Sequence, residues 1–182
     1  QHKPFLDNYN EKNGTDIVAV ARSYTAPLAL YSDKYKSLDA LENGAEILIA
    51  NDPTNLARSL ILLDQNGIIK LKDAGNVVAT LEDIAENPKN LKITVITADQ
   101  IAIRLKEVGA AVIPGNYAVK NGLNPRESLA VESKDSPYAN IIAVLKENEN
   151  DERIQVLIKV LHSDEMKKIV EEKYKGSVMP TF

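Results

Sequence analysis

Cysteine and tryptophan are absent from this chain, and histidine and phenylalanine occur only twice each. Without cysteine there is no disulfide, no thiol nucleophile and no thiolate zinc site, and the chain suits an oxidising or a reducing compartment equally. The two histidines, His2 and His162, lie at opposite ends of the sequence. His162 ends an apolar helix face, where cap or core-edge duty is the expectation. Glycine is scarce, and neither G-x-G-x-x-G, G-x-x-x-x-G-K nor G-x-S-x-G occurs, so the common phosphate loops and the nucleophile elbow are missing. There is no basic excess: the net charge is −4, which argues against nucleic acid because no cationic surface is available to neutralise phosphates. No apolar run is long enough to span a bilayer. The opening residues Gln1-His2-Lys3-Pro4-Phe5 lack the charged-then-apolar order of a signal peptide. Glu82, Asp83 and Glu86 read as a solvated helix face and Glu147–Glu152 as a solvated turn, not as a metal cage with oxygen ligands at fixed loop spacing. No cofactor is implied.

What is present is an ordinary globular balance, 44% apolar and 26% charged over 182 residues, enough for one domain or two small lobes. Strand-like and helix-like segments alternate. Asp16–Ala21, Pro27–Tyr31, Glu46–Ala50, Leu91–Ile96, Ala110–Ile113, Leu129–Glu132 and Asn140–Leu145 read as strands. Helices are predicted at Leu38–Glu42 behind Ser37, at Asn55–Gln65, at Leu81–Glu86 behind Thr80, at Asp99–Val108 and as a turn near Tyr117–Lys120. Two more follow, Glu152–His162 with Ile154, Leu157, Ile158 and Leu161 on one face, and a helix capped by Ser163 with Met166, Ile169, Val170 and Tyr174 inward. Asn-Gly pairs at 13–14, 43–44, 66–67 and 121–122 each close an apparent helix. Strands separated by helices imply parallel β-α-β units, hence an α/β fold with small sheets. If there are two lobes, the connecting strands are Pro27–Tyr35 and Leu129–Pro137. Residues 33–133 then form one lobe, and 1–32 pair with 134–182 to form the other.

The most informative segment is Asn51-Asp52-Pro53-Thr54-Asn55-Leu56-Ala57-Arg58-Ser59, between an apolar strand and an amphipathic helix. Free N–H groups and the helix dipole favour an anion at such a helix start, and Arg58 adds a planar fork matched to a carboxylate. The plainer reading makes Arg58 a solvated helix arginine and Asp52-Pro53-Thr54 an ordinary helix start. A polar set after the strands, Asn51, Asp52, Thr54, Asn55 and Arg58 with Asn116, Tyr117, Tyr138 and Asn140, suits a small zwitterion, with Arg on its carboxylate and amide oxygens on its ammonium. Taken singly, each Asn is a turn or cap residue, and the tyrosines are core-edge residues.

These residues also carry a resemblance. The chain is similar to the NlpA-type lipoproteins, the methionine-binding receptors of bacterial ABC importers. The similarity runs through Gln1–Asp7, Tyr31-Ser32, Ser37-Leu38, Asn51–Ser59, Glu86–Leu91, Asn116-Tyr117-Ala118 and Asp135–Asn140, in order and over essentially the whole chain. It implies a two-lobed periplasmic-binding-protein fold with small mixed sheets flanked by helices, and methionine held in the cleft between lobes. On that basis Arg58 binds the ligand carboxylate, Asn116 and Asn140 hydrogen-bond its amino and carboxylate groups, and His2 and Phe5 line the side-chain end, where a thioether sits against aromatic faces. Many relatives have Tyr where this chain has Phe5, which removes one hydroxyl contact. The implied partners are methionine, an ABC permease and its ATPase subunit. The implied location is the cell envelope outside the cytoplasm, through a lipid anchor that this chain does not include.

In the family, the segment matching Gln1–Asp7 follows a signal peptide, a lipid-modified cysteine and the first β-α-β stretch of lobe 1. A first lobe without that stretch would expose apolar edge strands, so this chain is expected to self-associate or to be poorly stable. Two other readings stay open: a receptor for another amino acid or a short methionine-containing peptide, and an enzyme on the same architecture, for which Asp52 is the one tempting general base.

Overall fold

The computed structural model describes residues 2–133 and 136–182. Gln1 and Asp135, which belong to the first and last of the matching stretches, and Lys134 lie outside the described residues. In chain order the elements are α1 (Lys3–Asn13), β1 (Val18–Arg22), β2 (Tyr24–Thr25), β3 (Ala29–Tyr31), β4 (Glu46–Ala50), α2 (Pro53–Gln65), β5 (Lys70–Leu71), β6 (Ile84–Glu86), β7 (Lys92–Ile96), α3 (Ala98–Ile101), β8 (Ala110–Ile113), α4 (Gly115–Lys120), β9 (Ala130–Val131), β10 (Ile141–Val144), α5 (Glu152–Leu161), α6 (Asp164–Tyr174) and β11 (Met179–Pro180). The chain divides into two compact units, Gln1–Ala26 with Ser133–Phe182 (unit 1) and Pro27–Glu132 (unit 2).

Unit 2 is built on a five-stranded sheet in the order β7-β4-β8-β3-β9. β4 pairs in parallel with β7 and β8, and β3 runs antiparallel to β8 and β9. Side chains alternate across a strand, and both faces here are covered. Leu28, Leu30, Ile47, Ile49, Ala110 and Val112 join Leu60 and Leu63 of α2 in one apolar cluster. The intervening Ala29, Tyr31, Leu48, Ala50, Ala111 and Ile113 join Ile101 and Leu105 in a second. That two-sided burial explains why these strands read as near-continuous apolar runs.

Gly109 sits at a tight approach in this unit. A Cβ there would lie 3.0 Å from Ala45 Cβ, 3.1 Å from the Glu46 carbonyl oxygen and 3.3 Å from the Tyr35 ring. Gly109→Ala is therefore expected to destabilise the protein by roughly 1–3 kcal/mol, read as a lowered urea midpoint at unchanged slope; an unchanged midpoint would show that the 45–46 backbone yields freely.

Among the described residues of unit 1 the sheets are two-stranded, β1 with β10 and β2 with β11. Phe182 stacks on His162 at 3.7 Å between centroids, and His162 Nε2 lies 2.8 Å from the Arg22 carbonyl oxygen. The His162 amide closes α5, the helix-end duty expected of it.

Several predicted elements differ. Leu38–Glu42 is a turn and not a helix, because its carbonyls go elsewhere: Lys89 Nζ donates to the oxygens of Leu38, Asp39 and Leu41. Leu81–Glu86 splits into a 3-10 turn at Leu81–Asp83, with Thr80 and Asp83 in a capping box, and strand β6. Ile84 is drawn into pairing with Leu71. Asp99–Val108 splits into α3 and a 3-10 turn at Leu105–Glu107. The α1 helix was visible in the sequence only through its Asn13-Gly14 end. All four Asn-Gly glycines, Gly14, Gly44, Gly67 and Gly122, adopt positive φ, the left-handed region that glycine enters without strain.

The apolar face of α5 is only half covered: no residue of α5 is buried, Ile154, Ile158 and Leu161 are half-buried and Leu157 is 44% exposed. An apolar stripe needs a broad opposing surface to be buried, and the two-stranded sheets of unit 1 are narrow.

Candidate functional site

The carboxyl end of β4 leads through Asn51 and Asp52 into α2. Asp52 is the N-cap: its Oδ1 accepts the Asn55 amide at 3.1 Å and the Thr54 hydroxyl at 3.2 Å, while the Asn55 side-chain amide donates to both of its oxygens. This carboxylate thus supplies the anion that the helix start favours. Its oxygens serve the cap, which assigns Asp52 a structural role instead of that of a general base. Asn55 Oδ1 is shielded from solvent and has no hydrogen-bond partner among the described residues; a buried unsatisfied acceptor costs about 1–3 kcal/mol, which a donor from a ligand or water would relieve.

Arg58 is not a solvated helix arginine. It is 6% exposed, and its Nε donates to Glu132 Oε1 at 2.8 Å while its Nη2 pairs with Glu132 Oε2. Glu132 Oε2 also accepts the Leu28 amide at 3.1 Å. This side-on contact between guanidinium and carboxylate was not visible in the sequence. The partners lie 74 positions apart, and no local spacing announces such a pair. Asn116 is the second residue of α4, just after β8, with its side chain exposed. Unit 2 therefore places Arg58 and Asn116 on helices that follow the neighbouring parallel strands β4 and β8, the strand ends at which open α/β sheets take ligands.

Unit 1 brings together His2, Phe5 and Asn140. His2 Nδ1 accepts the Phe5 amide at 3.2 Å, so His2 caps α1. Acceptance at Nδ1 by a neutral ring puts the proton on Nε2. The His2 ring meets Phe5 edge-on at 6.1 Å between centroids and Tyr138 at 5.3 Å. Asn140 forms an isolated antiparallel bridge with His2, and its carbonyl accepts the Ser23 amide at 2.8 Å. The residues themselves suggested no role for His2 before the family resemblance; its ring cluster with Phe5 and Tyr138 depends on segments 136 positions apart meeting. A cavity of about 470 Å³ in unit 1 is lined by Lys3, Ala19, Ala21, Arg22, Ser136 and Ile141 among others. None of the five predicted ligand residues lines it, and Lys3 pairs with Asp7.

Among the described residues no helix is long and apolar enough to cross a membrane, and no cluster of acidic and histidine side chains is placed to hold a metal ion. Burial raises the Tyr31 hydroxyl to about 12, so it stays neutral at physiological pH and is no base.

The family model for NlpA lipoprotein matches residues 1–182. The chain belongs to the NlpA lipoprotein family. As an NlpA family member it is similar to the D-methionine-binding lipoprotein MetQ of Escherichia coli, with 41% identity over 98% of this chain and 67% of that protein. It thus spans about two thirds of that relative. Among solved structures, a nutrient binding protein from Burkholderia cenocepacia bound to methionine is 41% identical with a TM-score of 0.94, covering 100% of this chain and 77% of the other. A periplasmic substrate-binding protein of an ABC transporter from Coxiella burnetii is 39% identical with a TM-score of 0.93, covering 99% of this chain and 76% of the other. The α/β fold of this NlpA family chain is accordingly that of periplasmic substrate-binding proteins.

Proposed function

We propose that this chain is a non-catalytic solute receptor of an ABC importer, which binds methionine or a close analogue and delivers it to a membrane permease driven by its ATPase. The observation that carries the reading is the similarity, at 41% identity and along 100% of this chain, to a nutrient binding protein solved with methionine bound. Arg58 takes the ligand carboxylate, Asn116 and Asn140 hydrogen-bond its amino and carboxylate groups, and His2 and Phe5 enclose its side chain, where a thioether gains from aromatic contact. The protein is held at the envelope, outside the cytoplasm, by a lipid anchor. The engagement of Asp52 as a helix cap supports a receptor over an enzyme. The exposed Val156, Leu157 and Val160 of α5 support self-association of this chain, since a contiguous apolar patch on a soluble protein marks a surface that is covered.

Native mass spectrometry, with and without added methionine of either enantiomer, tests the reading. A bound species of methionine's mass is expected, and the same spectra read the assembly. A folded chain that takes up neither enantiomer at millimolar ligand overturns the assignment.

A further inference from the structure

We propose that Glu132 is a positioning and specificity-determining residue that tunes Arg58 for a zwitterion over a plain anion; this rests on the reading of Arg58 as the ligand-carboxylate anchor. Arg58 is buried and Glu132 largely so, with 6% and 10% of their side chains exposed. A buried ion pair contributes little net stability compared with packed apolar residues, so stability alone is a poor reason for it. Its geometry supplies a better one. Glu132 accepts at least three N–H groups, two from Arg58 and one from Leu28. Leu28 and Glu132 stand at the two ends of the segment Pro27–Glu132 that forms unit 2, so this one carboxylate ties both ends of the unit to α2.

Two consequences follow for recognition. The guanidinium is a planar fork, and a carboxylate that grips it side-on at Nε and Nη2 fixes its plane. Of the two forks of the guanidinium Glu132 holds the side-on one, so two parallel bonds to a ligand carboxylate would have to come from the other, Nη1 with the second N–H of Nη2. The charges of Arg58 and Glu132 also sum to zero. A zwitterionic amino acid, itself of zero net charge, brings no net charge to set against the Glu132 carboxylate. A deaminated acid brings an unbalanced negative charge that the pair does not neutralise.

The test compares affinities for methionine and for 4-(methylthio)butanoate, the same skeleton without the ammonium group, in the intact chain and in Glu132→Gln. The amide keeps the shape and an acceptor for Leu28 but removes the charge. It is expected to shift the methionine-to-butanoate affinity ratio about tenfold toward the anion, the scale of one unit charge nearby in a protein. An unchanged ratio in a folded Glu132→Gln protein overturns the inference. Glu132→Asp covers the case in which the amide does not fold. It keeps the charge and hence the ratio, but its shorter reach cannot hold the Arg58 edge and the Leu28 amide together, so methionine affinity falls; wild-type methionine affinity in Glu132→Asp overturns the positioning role. Arg58→Ala separates the two levels. If it leaves methionine affinity intact, the anchor assignment itself fails and the Glu132 role fails with it. If it abolishes binding while Glu132→Gln leaves the ratio unmoved, the Glu132 role alone is wrong.

Discussion

Arg58→Ala is expected to remove methionine binding and, separately, to destabilise the protein. The truncation strips a carboxylate buried at 10% exposure of its cation, and breaking such a pair from one side costs roughly 3–5 kcal/mol because the surviving charge stays buried. For the ligand, the loss of a desolvated carboxylate anchor is about 2–5 kcal/mol. The two effects separate in the double variant Arg58→Met with Glu132→Gln. No uncompensated charge is left there, and the glutamine oxygen still accepts from the Leu28 amide, which the glutamate holds at 3.1 Å. That variant is expected to recover at least half of the lost stability in chemical denaturation yet to remain silent in methionine calorimetry. Recovery of binding along with stability would mean that Arg58 acts through the fold and not through the ligand. A single-variant stability loss below about 1 kcal/mol would place the pair with exposed ion pairs.

Leu63→Ala is the second large effect. Leu63 is fully buried between α2 and the sheet of unit 2, and deleting most of such a side chain costs roughly 2–5 kcal/mol, part transfer and part cavity. At about 2–4 °C per kcal/mol for a chain of this size, the melting temperature should fall by several degrees to well over ten. Leu157→Ala on α5 removes the same atoms from a side chain 44% exposed, and in protein dilute enough to be monomeric a shift within about 0.5 kcal/mol is expected at such a surface position. The pair of melting curves is the measurement. Equal losses would mean that α5 is as well packed in solution as α2, through a contact beyond the described residues or with another copy.

The contrast between these leucines shows where sequence reading stopped. Leu60 and Leu63 on α2 and Leu157 and Leu161 on α5 carry the same stripe at helical spacing, and both helices formed where the pattern places them. Periodicity reports which face is apolar; it does not report whether anything opposes that face. In unit 2 a sheet covered on both sides does so, and in unit 1 the α5 face stays half covered, with Ile154, Ile158 and Leu161 half-buried. The Leu38–Glu42 turn has a similar origin. Its local capping signals were sound, but Lys89, about fifty positions further on, takes the carbonyls that a helix would have used.

The candidate site divides in the same way. Asp52-Pro53-Thr54 as a helix start, the positive-φ glycines of the Asn-Gly pairs and the α/β alternation were legible in the chain, because each depends on neighbours within a few residues or on one strand's period. The family was legible as well, through short motifs in fixed order. Glu132 as the partner of Arg58, the Leu28 amide that shares it, and the meeting of His2 with Tyr138 were not. Each joins segments far apart in the chain, and which charges become desolvated together is settled only when β3, β9 and α2 pack around one another. Local interactions choose the elements; burial chooses the partners, because only the folded chain removes water from between residues that the sequence keeps apart.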